Sequence, residues 1–174
     1  MSAPGRRQSR VRLWTRFPTE ATRRYPWSRS RDYRPDVDDV RYLWRNEVSD
    51  DQIRKLVVSA GGGSSDIGWW DRVRPHSLGW VTATATAPEG RLVGFANVAW
   101  DGGAHAFLLD PTTHPAYQRS GIGSAVVALA AREAARAGCE WMHVDFEAPL
   151  RRFYFDACGF KATDAGLIHL GPPL

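Results

Sequence analysis

The feature that most constrains the fold is the run Gln118-Arg119-Ser120-Gly121-Ile122-Gly123, set between a strand pattern and a helix pattern. Upstream, His105 to Thr113 reads as a strand. Downstream, Ser120 to Ala137 carries Ile122, Val126, Leu129, Ala130 and Ala134 at helical spacing and stops at Gly138. Two glycines let successive backbone N–H groups turn inward with no Cβ in the way. Those amides join the free N–H groups of the first helical turn, at the positive end of the helix dipole. Such a nest suits a diphosphate. A dinucleotide fingerprint would need a third glycine where Val126 stands, and a phosphate-binding P-loop would need Gly-Lys-Ser/Thr, which the chain lacks. On these six residues alone, a tight helix entry without a ligand is an equal reading.

The rest of the chain supplies the context. Val40 to Asn46 reads as a strand, and Ser49 or Asp50 can cap a helix running to Ala60 with Ile53, Leu56 and Val57 on one stripe. Gly61-Gly62-Gly63 ends it. A short helix follows over Trp69 to Val73. Trp80 to Ala87 alternates as a half-buried strand, and Pro88-Glu89-Gly90 turns it into a second strand, Leu92 to Trp100. Asp101-Gly102-Gly103 leads to the third strand at His105. After the long helix, Trp141 to Glu147 reads as a strand, Leu150 to Ala157 as a short helix and Lys161 to Leu170 as a last strand. Antiparallel strands followed by a strand–helix–strand unit predict one α/β domain with a mixed sheet. At 174 residues the chain has room for one such domain and its core.

Charge divides the chain. Residues 1–36 hold ten Arg against Glu20, Asp32 and Asp36, a balance of +7, so the net charge of +4 leaves −3 for residues 37–174. The first segment mixes Arg, Pro and Ser with Trp14, Tyr25 and Trp27 without period and reads as a disordered extension; an arm for nucleic acid is the sharper alternative. No apolar run reaches the roughly 20 residues of a membrane span. The basic N-terminus has no apolar stretch behind it, so neither a secretory nor a twin-arginine signal is expected, and a cytoplasmic protein is. Cys139 and Cys158 read as reduced thiols rather than a disulfide.

A second motif resolves the loop. Q118-R-S-G-I-G123, preceded by His114-Pro115-Ala116-Tyr117, is followed about thirty residues later by Phe153-Tyr154-Phe155-Asp156-Ala157-Cys158-Gly159-Phe160. The pair resembles the Q/R-x-x-G-x-G/A signature and the F-Y-x-x-x-G-F helix of the GNAT superfamily of N-acetyltransferases, and the element order from 38 to 170 matches. The resemblance implies a mixed, mostly antiparallel sheet flanked by about four helices, with a splayed parallel strand pair holding acetyl-CoA. Acetyl-CoA would be the co-substrate, with no metal. A primary amine, as a small molecule or on a peptide, would be the acceptor by direct transfer, in a monomer or homodimer. By the resemblance, Thr112, Thr113, Gln118, Arg119, Ser120, Gly121, Ile122, Gly123, Ser124 and Tyr154 would bind the cofactor.

Acyl transfer needs a neutral amine, a donor to the thioester oxygen and a proton for the departing thiolate. The resemblance assigns that proton to Tyr154. His143, Asp145 and Glu147 share one strand face by the period of 2, and Glu147 is the leading general base, with Asp110 second and His105 a competitor. One departure stands out. The family supplies a thioester N–H three residues before His114, where this chain has Pro111, so a shifted bulge would have to let Asp110 or Thr112 donate. Trp69, Trp70 and Asp71, with Asp66, would suit a cationic amine by charge and cation–π contact. The competing readings are a non-catalytic acyl-CoA sensor, a nucleic-acid-associated protein using the Arg-rich tail, and an iron site from His143, Asp145 and His169.

Overall fold

Strand pairing here begins from alternation and turn chemistry. The computed structural model describes residues 40–63, 67–86 and 90–170, all within one unit, Asp32–Leu174. The Arg-rich segment 1–36, Asp66 and the turn residues Pro88 and Glu89 lie outside the described residues. Five strands follow: β1 (Val40–Trp44), β2 (Ser77–Ala85), β3 (Arg91–Trp100), β4 (His105–Thr113) and β5 (Trp141–His143), in spatial order β1-β2-β3-β4-β5. The first four pair antiparallel and β5 joins β4 in parallel. The helices are α1 (Asp50–Ser59), α2 (Trp69–Val73), α3 (Ile122–Arg136) and a short α4 (Phe153–Ala157). None of the described helices is long and apolar enough to cross a membrane.

Helix starts follow their caps. Ser49 accepts from the Gln52 amide while Gln52 Oε1 accepts from the Ser49 amide, closing a capping box at α1. Asp50, beside that cap, accepts from the amides of Gly68 and Trp70 and so ties α1 to the start of α2. Those two N–H groups hold its carboxyl below the usual carboxylate range.

Two layers cover the sheet. α3 lays Ile122, Val126 and Ala130 on Val81, Ala83, Val93, Val98, Ala106 and Leu108. On the opposite face, α1 and α2 enclose Ile53, Leu56, Trp70, Leu92 and Phe95. The expected half-buried strand at β2 has Val81, Ala83 and Ala85 fully buried on one side; on the other, Thr82 is buried too, while Thr84 and Trp80, which packs on Trp70 of α2, stay half-buried. Gly94 shows how closely α3 sits: a Cβ there would meet Ile122 and Val126 at 3.1 and 3.3 Å. Both cysteines are free thiols.

Two expected strands are corrected. The strand at Trp141 ends at His143, although the alternation of exposed His143, Asp145 and Glu147 with half-buried Val144 and Phe146 continues beyond it. Lys161 to Leu170 forms no strand, and its residues are exposed, Leu167, Ile168 and Leu170 at 82–92%. Its apolar side chains gave it a strand-like composition, but no neighbour pairs with its backbone among the described residues.

Candidate functional site

The site is built where the parallel pair stops pairing. β4 and β5 match His105 with Trp141, Ala106 with Met142 and Phe107 with His143, after which β4 continues for six more residues paired with β3 only. The stretch from Val144 to Glu147 no longer pairs with β4, which leaves a gap in the hydrogen-bond ladder beside the C-terminal half of β4. Within that half, the register with β3 shifts: Asn97 faces Leu109 and Phe95 faces Thr112, leaving Asp110 and Pro111 opposite Ala96 alone. This is a β-bulge, and Asp110 carries it with φ at 54°. Asp tolerates this left-handed conformation better than most residues. Pro111 has no N–H to lose from the ladder, so the bulge is also where a strand accepts it.

The chain then turns into the loop at the mouth of the gap. His114 donates its amide to Val93 O at 2.9 Å, and its Nδ1 accepts from the Ala116 amide. Gln118 reaches back to Thr113 O, and Ser120 Oγ to Tyr117 O at 2.6 Å. Arg119 and Gly121 both take left-handed backbone, at φ 61° and 88°. Alternating backbone handedness of this kind aims successive amides at a common point. From Arg119 onward, the first amide with a backbone acceptor is that of Ala125, on Gly121 O. Those before it stand open at the N-terminus of α3, where the dipole favours an anion. Ser124 Oγ is turned back onto Gly121 O at 2.9 Å. Ile122 is buried and contributes to the nest through its backbone only. Gly123 lets the loop lie close on Phe153: a Cβ would stand 3.3 Å from that ring and from Thr113 Oγ1.

Tyr154 packs against the departing segment through Phe146. Its ring is 3% exposed, stacked on Phe146 at 4.5 Å and edge-on to Phe153 and Phe160. α4 is wound wide, with Cys158 donating to Phe153 O five residues back and Phe160 to Tyr154 O. Such π-turns recur at functional positions. Burial, with a smaller contribution from Cys158, pushes the Tyr154 phenol up to about 12, and burial pushes the Cys158 thiol up to about 11. Asp110 keeps an open surface, yet the surrounding strands desolvate its carboxyl enough to raise it above the ordinary aspartate value.

The expected residues divide. Thr112, Thr113, the loop 118–124, Asp110 and Tyr154 lie on the elements that border the gap. Glu147 is exposed at the far end of the departing segment, where its carbonyl accepts from Leu150. Trp70 is a correction: it is 1% exposed and sits edge-on to Trp80 and Phe95 in the core, so it offers no surface to an acceptor. Trp69 is half-buried and Asp71 exposed on the same helix. His143 is engaged by His105, Nδ1 to Nε2 at 2.9 Å, and the described residues bring no three His, Cys, Asp or Glu together as a metal set. The sequence reading missed Phe107 and Leu109, and had Phe153 only as part of its motif. Phe107 and Leu109 had a signal, because apolar residues at both odd and even positions of β4 imply contacts on both faces of the strand.

Comparison with known proteins agrees with this geometry. The family described as Acetyltransferase (GNAT) family matches residues 14–160. A probable acetyltransferase from methicillin-resistant Staphylococcus aureus superposes with a TM-score of 0.65 at 19% identity, covering 76% of this chain and 99% of that one. An aminoglycoside N-acetyltransferase, AAC(6')-Iy, solved in complex with CoA, gives 0.61 at 18% identity over 76% and 94%. Glucosamine-6-phosphate N-acetyltransferase from Arabidopsis thaliana gives 0.60 at 12% over 74% and 97%. No curated protein matches.

Proposed function

Since the chain belongs to the acetyltransferase (GNAT) family and is an N-acetyltransferase, we propose that it transfers acetyl directly from acetyl-CoA to a primary amine, with no acyl-enzyme step. The supporting observation is that strand pairing stops at Phe107 and His143 while β4 continues, and that the chain then leads from β4 into the amide nest at 119–123. A strand-like pantetheine arm fits such a gap by hydrogen-bonding like an added strand, and a diphosphate fits the nest. The bound thioester supplies the activated acetyl group.

The protein's part is positioning and proton handling. Holding amine and acyl donor together contributes about 7–11 kcal/mol through effective molarity alone. Asp110 takes the amine's proton: its raised carboxyl is a stronger base than an ordinary aspartate, and it sits on the bulge beside the gap. Glu147 is the second candidate. Pro111 gives no N–H, which leaves Asp110 and Thr112 as the bulge amides that can serve the thioester oxygen. Tyr154 stays protonated at any working pH, so its hydroxyl is always a donor toward the departing sulfur. Net loss of its proton would leave a buried phenolate, so that proton is restored as the acceptor's is released.

Tyr154→Phe tests the assignment. CoA affinity should stay within about twofold, while amine-dependent thiol release falls at least about tenfold, the lower range for a lost proton donor. Unchanged turnover would remove Tyr154 from the chemistry. A protein that neither binds CoA nor releases thiol with any amine would remove the function.

A further inference from the structure

The even residues of β4 face α3, where Ala106 and Leu108 are 0% and 2% exposed. His105, Phe107 and Leu109 therefore point to the opposite face. There α1 and α2 cover Leu92 and Phe95, and although α1 also reaches β4, Phe107 and Leu109 each stay 41% exposed. The exposed side chains are ordered as a ladder. Phe107 stacks on His143 at 4.9 Å and 20°, and His143 stacks on His105 at 5.1 Å and 29°. The ladder ends at the gap. Leu109 is the last residue before the bulge, Asp110 follows it, and Asp145 is exposed two residues beyond His143.

We infer that the acceptor is a primary amine carrying a planar aromatic group on a short alkyl linker. This inference rests on the acetyltransferase reading and names its substrate class. The ring would lie on Phe107 and Leu109, and the ammonium would be drawn to Asp110 and Asp145 at the mouth of the gap. Phe107 to Asp110 spans roughly 10 Å of strand, the reach of one ring and its linker rather than of a long chain. Stacked and edge-on aromatic contacts favour a planar partner beyond the apolar area they cover. A polycation spread along the same face would meet Phe107 and two imidazoles where it needed carboxylates. The charge is thus concentrated at one end and the apolar platform at the other, the pattern of an arylalkylamine.

The test compares phenethylamine and n-butylamine as acceptors, with CoA affinity measured separately. The wild-type protein should favour phenethylamine in kcat/KM by about tenfold or more. Phe107→Ala and His143→Ala should each bring that ratio toward one through KM, with CoA affinity and melting temperature showing that the variants fold. Equal use of the two amines by a protein that binds CoA overturns the inference alone. Failure to bind CoA overturns the reading beneath it. A dimer that Phe107→Asp dissociates would show this face covered by a second copy and would also overturn the inference.

Discussion

Replacing Gly121 with Ala separates the conformational demand of the loop from its binding role. Gly121 holds φ at 88°, and a Cβ built there meets nothing within 4 Å, so sterics with neighbours contribute nothing. The cost is the backbone itself, about 1–2 kcal/mol for a left-handed residue that bears a Cβ. Reduced freedom of the unfolded chain returns about 0.4–1 kcal/mol. The net loss is about 1 kcal/mol, which lowers the melting temperature by about 3–5 °C in a domain of this size. If the backbone relaxes toward negative φ, at least one amide turns out of the nest. A hydrogen bond to a charged group contributes about 1.5–3 kcal/mol, so CoA should bind about ten- to hundredfold more weakly. Gly121→Asn should lose less of both, because Asn tolerates this region. Calorimetric titration with CoA and thermal melts read the two effects separately. A variant that melts lower yet binds CoA as tightly as wild type would refute the placement of the diphosphate at this loop. Unchanged melting would refute the conformational argument.

Other perturbations test other links. Because desolvation raises the Asp110 carboxyl in the folded state, the stability it contributes is present below its unfolded value and lost as pH rises through the folded one. Asp110→Asn should therefore leave the melting temperature at pH 7 unchanged or up to about 2 °C higher. It should also reduce kcat at least about a hundredfold if Asp110 is the base; a reduction on Glu147→Gln instead would move the role there. The Tyr154 phenol, raised from 10.0 to about 12, contributes stability below pH 10 that is lost as pH climbs toward 12, on the order of 2–3 kcal/mol. Alkaline melting curves should accordingly be flatter over that window for Tyr154→Phe than for wild type. Ser49→Ala opens the capping box of α1 and should destabilise by about 1 kcal/mol in urea unfolding without changing CoA affinity.

Much of this fold was legible because local chemistry and tertiary position agree. Ser49, one of the two caps offered for α1, Gly61 after that helix, and Asp101-Gly102 before β4 each mark an element boundary by a mechanism that needs no distant partner. What could not be read depends on neighbours. β2 alternates as a half-buried strand should, yet Thr82 on its polar side is buried and Trp80 packs on Trp70, a residue of α2 earlier in the chain. Trp69 and Trp70 are adjacent and chemically identical, and only the turn of α2 against Phe95 puts one in the core and the other partly in solvent. The segment 161–170 had the composition of a strand, but composition provides no pairing edge.

The bulge shows where sequence and site meet. Pro111 was visible as a proline inside a strand, which argues for an irregularity at that point. Its consequence was not visible, because a bulge is defined by two strands and its position depends on the register of β3. Phe95 opposite Thr112 and Asn97 opposite Leu109 place the extra residues at Asp110 and Pro111. That register gives Asp110 its left-handed backbone and places it on the part of β4 that runs on past its pairing with β5. It also ends the Phe107–Leu109 platform at the same point. One register shift in the sheet thereby sets the candidate base, the available amides and the end of the acceptor surface. A substitution that restored regular pairing there should impair all three together, while leaving the amide nest at 119–123 and its affinity for CoA intact.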